Sequence, residues 1–341
     1  VGARRRGINI SDEYEKAAEE VRKLFQRKGG KVLKKATASV LKEKFECDEV
    51  RKALSHFMSY WRDVVRPSLV SLACEAVGGD PSIAAPIGKS LTLLSGATDI
   101  HDDIIDKTMR KERRQTVLGR YGEDIALITG DILIFKGFAA FFDELLHLDL
   151  PLEKKLDIAH TVIALYLELG DAEALELKFR ARVDVKPEEY LHVMKKKAAD
   201  IEICTRVGAL LGGGSQKQIN ALGKYGRLLG MIVLLRNDLE DLLDFNMLNL
   251  RIKYEALPLP ILYALENDGK REIILEILKK GRVKREKAKR LFTLVSETEG
   301  LNKLWKIFEK LKVQAFEELT LIQNKTILKN ILEASVPKTF I

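Results

Sequence analysis

Residues 99–106 read Asp99-Ile100-His101-Asp102-Asp103-Ile104-Ile105-Asp106, and the rest of the chain is interpreted outward from them. On a helix, positions i, i+1 and i+4 lie within about one turn of each other, so Asp102, Asp103 and Asp106 crowd together. Such crowding costs energy unless cations hold the carboxylates. Hard oxygen ligands of this kind suit Mg²⁺ bound jointly to a phosphate-bearing molecule. The residues that follow are Lys107, Arg110, Lys111, Arg113 and Arg114, cations able to grip phosphate oxygens. A second acidic group lies far downstream, where residues 234–244 read Leu234-Leu235-Arg236-Asn237-Asp238-Leu239-Glu240-Asp241-Leu242-Leu243-Asp244. One Asp-Asp-x-x-Asp alone is weak, because a solvated helix face gives the same pattern. Two such groups facing each other across a cavity would hold a diphosphate through shared metal ions.

The stretches around both groups have helical periodicity. Only eight prolines interrupt 341 residues. Spacing near 3.6 predicts helices over 11–28, 81–108, 118–147, 153–180, 186–212, 217–244 and 283–321. The breaks are short, as at Gly78-Gly79-Asp80-Pro81 and Gly212-Gly213-Gly214-Ser215, with Ser82 and Ser215 as expected helix caps. Strand-like alternation is scarce, and no linker is long enough to separate domains. The expected fold is all-α, one domain over residues 1–341, with about a dozen helices around a deep central cavity. Residues 1–10 are read as a disordered N-terminal segment.

Composition narrows the function. Hydrophobic residues make up 46% of the chain, which indicates a globular protein. No apolar run reaches the roughly 20 residues of a membrane span. The net charge is +8, with Lys and Arg read as spread along helical faces and no aromatic-basic module. That argues against nucleic acid and for an anionic substrate, with peripheral contact to an anionic membrane as a further use. Cys47, Cys74 and Cys204 read as buried thiols in a reducing compartment, hence a cytoplasmic protein.

Further landmarks share the order and spacing of one family. They are Arg66-Pro67, His101 with the first acidic group, Thr116-Val117, Gly130-Asp131, Tyr190-Leu191 to Lys197, Tyr225-Gly226-Arg227-x-x-Gly230 and Leu257-Pro258-Leu259. Over most of its length the chain resembles the trans-isoprenyl diphosphate synthases, the polyprenyl synthetase family. The resemblance implies a helical bundle, usually a homodimer, with about three Mg²⁺ per active site. It assigns metal binding to Asp102, Asp103, Asp106, Asn237, Asp238 and Asp241, and catalysis to Asp102, Asp103, Asp106, Lys197 and Asp238. Substrate contacts would come from Arg66, His101, Arg110, Lys111, Arg113 and Lys197. The implied reaction ionises an allylic diphosphate in a dry apolar pocket, where the double bond of isopentenyl diphosphate attacks the cation.

The departures concentrate on the acceptor side. A Gly-Lys-x-x-Arg-Pro segment binds isopentenyl diphosphate in the family, but here it reads Arg62-Asp63-Val64-Val65-Arg66-Pro67. The arginine pair after the first motif becomes Lys111-Glu112, the Lys-Thr pair becomes Lys197-Ala198, and the Gln and Asp of a mid-chain motif become Glu173 and Glu176. Exchanging a cation for a carboxylate beside a diphosphate turns attraction into repulsion, about 4 kcal/mol per close contact at an effective dielectric of 20. Two alternatives therefore stand beside chain elongation. One is a class I enzyme that uses another acceptor or cyclises the chain. The other is a non-catalytic subunit that forms a heteromer with an active homologue. Small residues before the first motif, Ala97 and Thr98 above all, are expected to leave the cavity open to products of C20 or longer. Asp99 has no role in this reading beyond pairing with a neighbouring cation, and Tyr60 and Trp61 are read as core.

Overall fold

A computed structural model of the chain describes residues 12–111, 114–279 and 281–337. The expected disordered segment 1–10 lies outside the described residues. The described chain is all-α: sixteen helices, one 3₁₀ turn and a two-stranded hairpin, Arg110–Lys111 with Arg114–Gln115. That is more helices than expected, because periodicity runs through three breaks; at the first, Gly122 with φ 83° divides the predicted helix 118–147 into a short α5 (Val117–Tyr121) and α6 (Glu123–His147). The predicted helix 186–212 is α8 (Pro187–Lys197) and α9 (Ala199–Leu211), hinged at Ala198. The predicted helix 283–321 is α14 (Arg285–Ser296) and α15 (Gly300–Glu318).

Helix α4 (Pro81–Ile105) is the central element. It starts where Asp80, rather than Ser82, caps it: the Asp80 carboxylate accepts the Ser82 amide at 2.9 Å, and Pro81 fits the first turn. Ser215 caps α10 (Gln216–Leu243) as expected, in a capping box with Gln218. Opposite faces of α4 enter two different clusters. Leu91 and Leu94 join the large core, while Leu93, Ala97 and Ile100 pack with Phe57 and Trp61 in a smaller one. Helix α6 (Glu123–His147) runs along α4 through buried Gly130, Leu133, Gly137 and Phe141.

Helix α6 also corrects the reading of apolar runs. Among the described residues it is the one helix long and apolar enough to cross a membrane by length and composition. Its outward face shows Leu127, Ile128, Phe135, Phe142 and Leu146, and α7 (Leu152–Leu177) in turn exposes Leu156, Ile163 and Leu167. Cys74 and Cys204 are buried free thiols as expected, but Cys47 is exposed.

Candidate active site

Both acidic groups sit in the last turns of long helices, α4 and α10. The negative end of the helix dipole is there, so carboxylates at those positions are disfavoured unless cations compensate. The chain stops α4 with a left-handed residue, Lys107 at φ 53°, directly after Asp106. Asp102 and Asp106, four apart, then share a face. Asp103 turns to another side, where it is buried and pairs with Lys111 at 2.8 Å. Burial pushes Asp103 up to about 6 despite that partner.

Helix α8 links the two groups. Tyr190 and Lys197 are seven apart, two turns along one face. The Lys197 ammonium donates to Glu173 at 3.0 Å and to Glu176. Burial alone would lower the Lys197 pKa, but Glu176, Glu173 and Asp102 outweigh it and keep the proton on. Burial and then Glu173 hold Asp102 well above the usual carboxylate range. Burial, Glu255 and Glu176 push Asp106 up to about 7. Arg180 donates to the Ile105 carbonyl at 2.7 Å and comes no nearer than 4.0 Å to Asp106.

The second group is satisfied from within. Asp238 is buried and accepts three hydrogen bonds: from the Tyr190 hydroxyl at 2.7 Å, the Arg251 guanidinium at 2.7 Å and the Leu259 amide at 3.0 Å. Arg251 also reaches Glu255 at 3.3 Å and Asp241 at 3.7 Å. Burial, partly offset by Arg251, pushes Asp241 up to about 6. Asn237 is exposed. Among the described residues, the mouth is lined by Asp106, Glu173, Glu176 and Glu255 with Lys197, Arg180 and Arg251, and Asp102 lies beside it while Asp238 and Asp241 meet Arg251, an excess of negative charge. Among the described residues, no three Asp, Glu, His or Cys side chains converge into a ready-made metal site.

The acidic mouth opens onto an apolar cavity of about 580 Å³. Leu94, Thr98, Asp102 and Ile105 line it from α4, with Phe138 and Tyr166 from α6 and α7, whose rings meet edge-on at 6.3 Å. Glu173 and Lys197 border both the cavity and the mouth. Thr98 faces the cavity, but Ala97 is fully buried in the smaller core cluster and does not. The two chain-length candidates therefore differ, because they are adjacent on a helix and point about 100° apart.

On the expected acceptor side, Arg66 is already neutralised. Its guanidinium makes a forked pair with Asp200, at 2.7–3.0 Å, and a third contact with Asp63 at 3.1 Å. Asp63 also shapes the backbone, since its carboxylate accepts the Val65 and Arg66 amides at the start of α3 (Val65–Ala76). Arg62 donates to the carbonyls of Trp61 and Ser59, each at 2.7 Å. Lys111 is spent on Asp103, and Arg110 lies exposed on the hairpin. Arg113 and Glu112 lie outside the described residues.

Several landmarks turn out to be packing devices. A Cβ on Gly130 would lie 2.3 Å from the His101 ring, so Gly130 makes the room in which His101 approaches Asp131 at 3.4 Å. Gly226 lets α10 touch α9, where a Cβ would meet the Thr205 hydroxyl at 2.1 Å. Thr116 caps α5 (Val117–Tyr121) and donates to the Thr108 carbonyl. Asp99 accepts the Trp61 indole N–H at 2.7 Å, the role that the sequence did not supply. Sequence reasoning does not reach Glu255, Asp200 or Arg180. Nothing local marks them, since each matters through a partner distant in sequence.

Against known proteins, a family model described as polyprenyl synthetase matches residues 48–295. The chain is 34% identical over 194 residues to a short chain isoprenyl diphosphate synthase of Methanothermobacter thermautotrophicus, covering 57% of this chain and 58% of that protein. It is 29% identical over 196 residues to a geranylgeranyl diphosphate synthase of Methanosarcina mazei, covering 57% and 59%. These matches span less than two thirds of either relative. The fold is that of geranylgeranyl pyrophosphate synthetase from Pyrococcus horikoshii, with a TM-score of 0.83 at 22% identity over 96% of this chain and 100% of that one. Heptaprenyl diphosphate synthase from Staphylococcus aureus gives 0.78 at 17% identity, over 91% and 97%.

Proposed function

This chain belongs to the polyprenyl synthetase family, and on that premise we propose that it is a Mg²⁺-dependent prenyltransferase acting on an allylic isoprenyl diphosphate. The observation that carries this reading is the strip of α4 on which Thr98 faces an apolar cavity and Asp102, one turn on, meets the acidic mouth beside Lys197. The diphosphate would lie at the mouth and the prenyl chain in the cavity.

The carboxylate excess fits divalent ions, because the charged forms of Asp102 and Asp106 are destabilised as they stand. Asp102 and Asp106 would hold them, with Asp241 and the Asn237 carbonyl from the opposite helix. Bound Mg²⁺ would supply positive charge to the departing diphosphate. Octahedral Mg²⁺ is commonly held by one or two carboxylates plus substrate phosphates, so such ions would arrive with the substrate. Lys197 would donate to a diphosphate oxygen, exchanging part of its contact with Glu173 and Glu176. The allylic C–O bond breaks and its electron pair leaves with the diphosphate. The apolar walls, including Phe138, Ile134 and Leu169, keep water from the cation. An acceptor double bond then attacks, and a proton leaves from the adjacent carbon.

By family, the acceptor is isopentenyl diphosphate and the product all-trans, and Thr98 with Leu94 leaves room for C20 or longer. A second reading is favoured by Arg66. Among the described residues, Arg66 is already paired to Asp200 and Asp63, which supports another acceptor or cyclisation. The outward apolar faces of α6 and α7 suit a homodimer or a heteromer with a homologue. Free buried thiols agree with a cytoplasmic setting.

The test is incubation with Mg²⁺ and geranyl, farnesyl or geranylgeranyl diphosphate, with and without isopentenyl diphosphate. Elongated product supports the family reaction. Diphosphate release without isopentenyl diphosphate supports the second reading. No turnover with any donor, together with activation of a co-expressed homologue, would overturn both in favour of a regulatory subunit.

A further inference from the structure

The even spread of cations expected from the sequence fails at one place. Residues 279–290 hold eight Lys or Arg and a single acid, Glu286, so all but one unit of the chain's net charge of +8 sits in this short segment. Of its described cations, Lys279, Arg282, Lys284, Arg285, Lys289 and Arg290 are exposed and Lys287 is half-buried. Elsewhere surface cations commonly meet carboxylates, as Lys89 meets Glu144 and Lys303 meets Glu266. Among the described residues, no ion pair within 4.0 Å engages any of these seven.

The segment is amphipathic as well as basic. Helix α14 turns Ala288, Leu291, Leu294 and Val295 inward. Beside it, a cavity of about 500 Å³ is walled by Leu242, Leu243, Phe245, Leu248 and Phe292, with Arg285 and Lys289 among its lining. Arg285 lies over the Phe245 ring at 5.5 Å. The surface is therefore an apolar groove rimmed by cations.

Its position is fixed relative to the mouth of the cleft. The groove begins at Leu242, directly after Asp241. The Asn249 side chain bonds both the Val283 amide, at 2.7 Å, and the Val283 carbonyl, at 3.2 Å. That ties the basic segment to α11 (Phe245–Tyr254), which carries Arg251 to Asp238.

We propose that the basic face formed by Lys279, Arg282, Lys284, Arg285, Lys289 and Arg290 and the adjoining Leu243–Phe245–Phe292 groove dock this protein on an anionic phospholipid surface, at the end of the molecule that carries the second acidic group. A bilayer suits both components: cations attract the anionic headgroups, and apolar side chains enter the boundary beneath them. Nucleic acid would use the cations but leave the apolar groove unmatched.

The test is flotation of the full-length protein, without substrate, on vesicles of phosphatidylcholine alone or with about a third phosphatidylglycerol. Binding is read separately from turnover. The protein should float with the anionic vesicles at low salt, fall off as salt rises, and ignore the neutral ones. The triple variant Lys284→Glu, Arg285→Glu, Lys289→Glu should lose on the order of a hundredfold in partitioning. Its diphosphate release with a soluble allylic donor should be unchanged. The single variant Leu243→Ser should weaken binding to anionic vesicles without altering its salt dependence. A matched reversal at Lys23, Lys34 and Lys217 is the control and should bind as the parent does. Equal binding to neutral and anionic vesicles, parent-like binding by the triple variant, or binding to duplex DNA alone would overturn the proposal.

Discussion

The two acidic groups have nearly the same sequence pattern and opposite fates. At the end of α4, Asp102 and Asp106 are crowded by Glu173, Glu176 and Glu255, with only part of a lysine and a distant arginine to answer them. At the end of α10, Asp238 has a guanidinium, a hydroxyl and a backbone amide. One group stores electrostatic strain that a bound cation would relieve. In the other, Asp238 spends its charge on the fold, fastening α10 to α8, α11 and the Leu257-Pro258-Leu259 segment, while Asp241 meets Arg251 at 3.7 Å and is pushed up by burial. A motif therefore identifies residue types, while the donors around it determine whether charge is left for a ligand.

The largest expected effect that could break this comparison is on stability. Asp238→Ala takes from buried Arg251 its closest carboxylate and leaves the Tyr190 hydroxyl and the Leu259 amide without their acceptor, and should cost about 3–5 kcal/mol in urea unfolding. If it costs less than about 1 kcal/mol and abolishes turnover alone, Asp238 is a ligand held in reserve and the contrast fails. Asp102→Asn should do the reverse. It should cut kcat/KM for the allylic diphosphate by about 10²–10³, with urea stability unchanged or raised because burial and Glu173 already oppose the charged form. A clear loss of stability would put Asp102 in the same class as Asp238.

The next effect sharpens the contrast within one turn of α4. Ala97→Phe overfills the cluster around Trp61 and should cost about 1–3 kcal/mol. Thr98→Phe projects into the cavity and should shorten the accepted donor or the product, read by chromatography of the prenyl alcohols. A shorter product from Ala97→Phe at parental stability would reverse the assignment.

The smallest effect concerns the acceptor side. Asp200→Asn withdraws one of the two carboxylates from Arg66. If isopentenyl diphosphate binds there, its KM should fall about tenfold, in line with one charge-assisted hydrogen bond. We expect this fall. An unchanged KM would separate Arg66 from the acceptor and strengthen the reading in which another molecule accepts the prenyl cation.

How much of the fold and site is legible in the sequence can be judged from particular residues. The helical period, the cap at Ser215 and the acid-rich ends of α4 and α10 are local features, carried by spacing. Asp63 is legible as a departure, but not as the residue whose carboxylate accepts the first amides of α3 and helps neutralise Arg66. The basic segment 279–290 is present in the sequence but disappears in the net charge of the whole chain. Ala97 and Thr98 could not be separated by residue size, because what distinguishes them is the cluster or cavity each faces.

By itself, the sequence determined which segments coil and which helix ends carry unfavourable charge, because both depend on residues within a turn of one another. Only the tertiary structure decided which charges remain open to a ligand. That depends on partners brought from elsewhere in the chain: Asp200 for Arg66, Arg251 for Asp238, and Glu173 with Glu176 for Lys197. Electrostatic energy falls with distance in space rather than with separation along the chain.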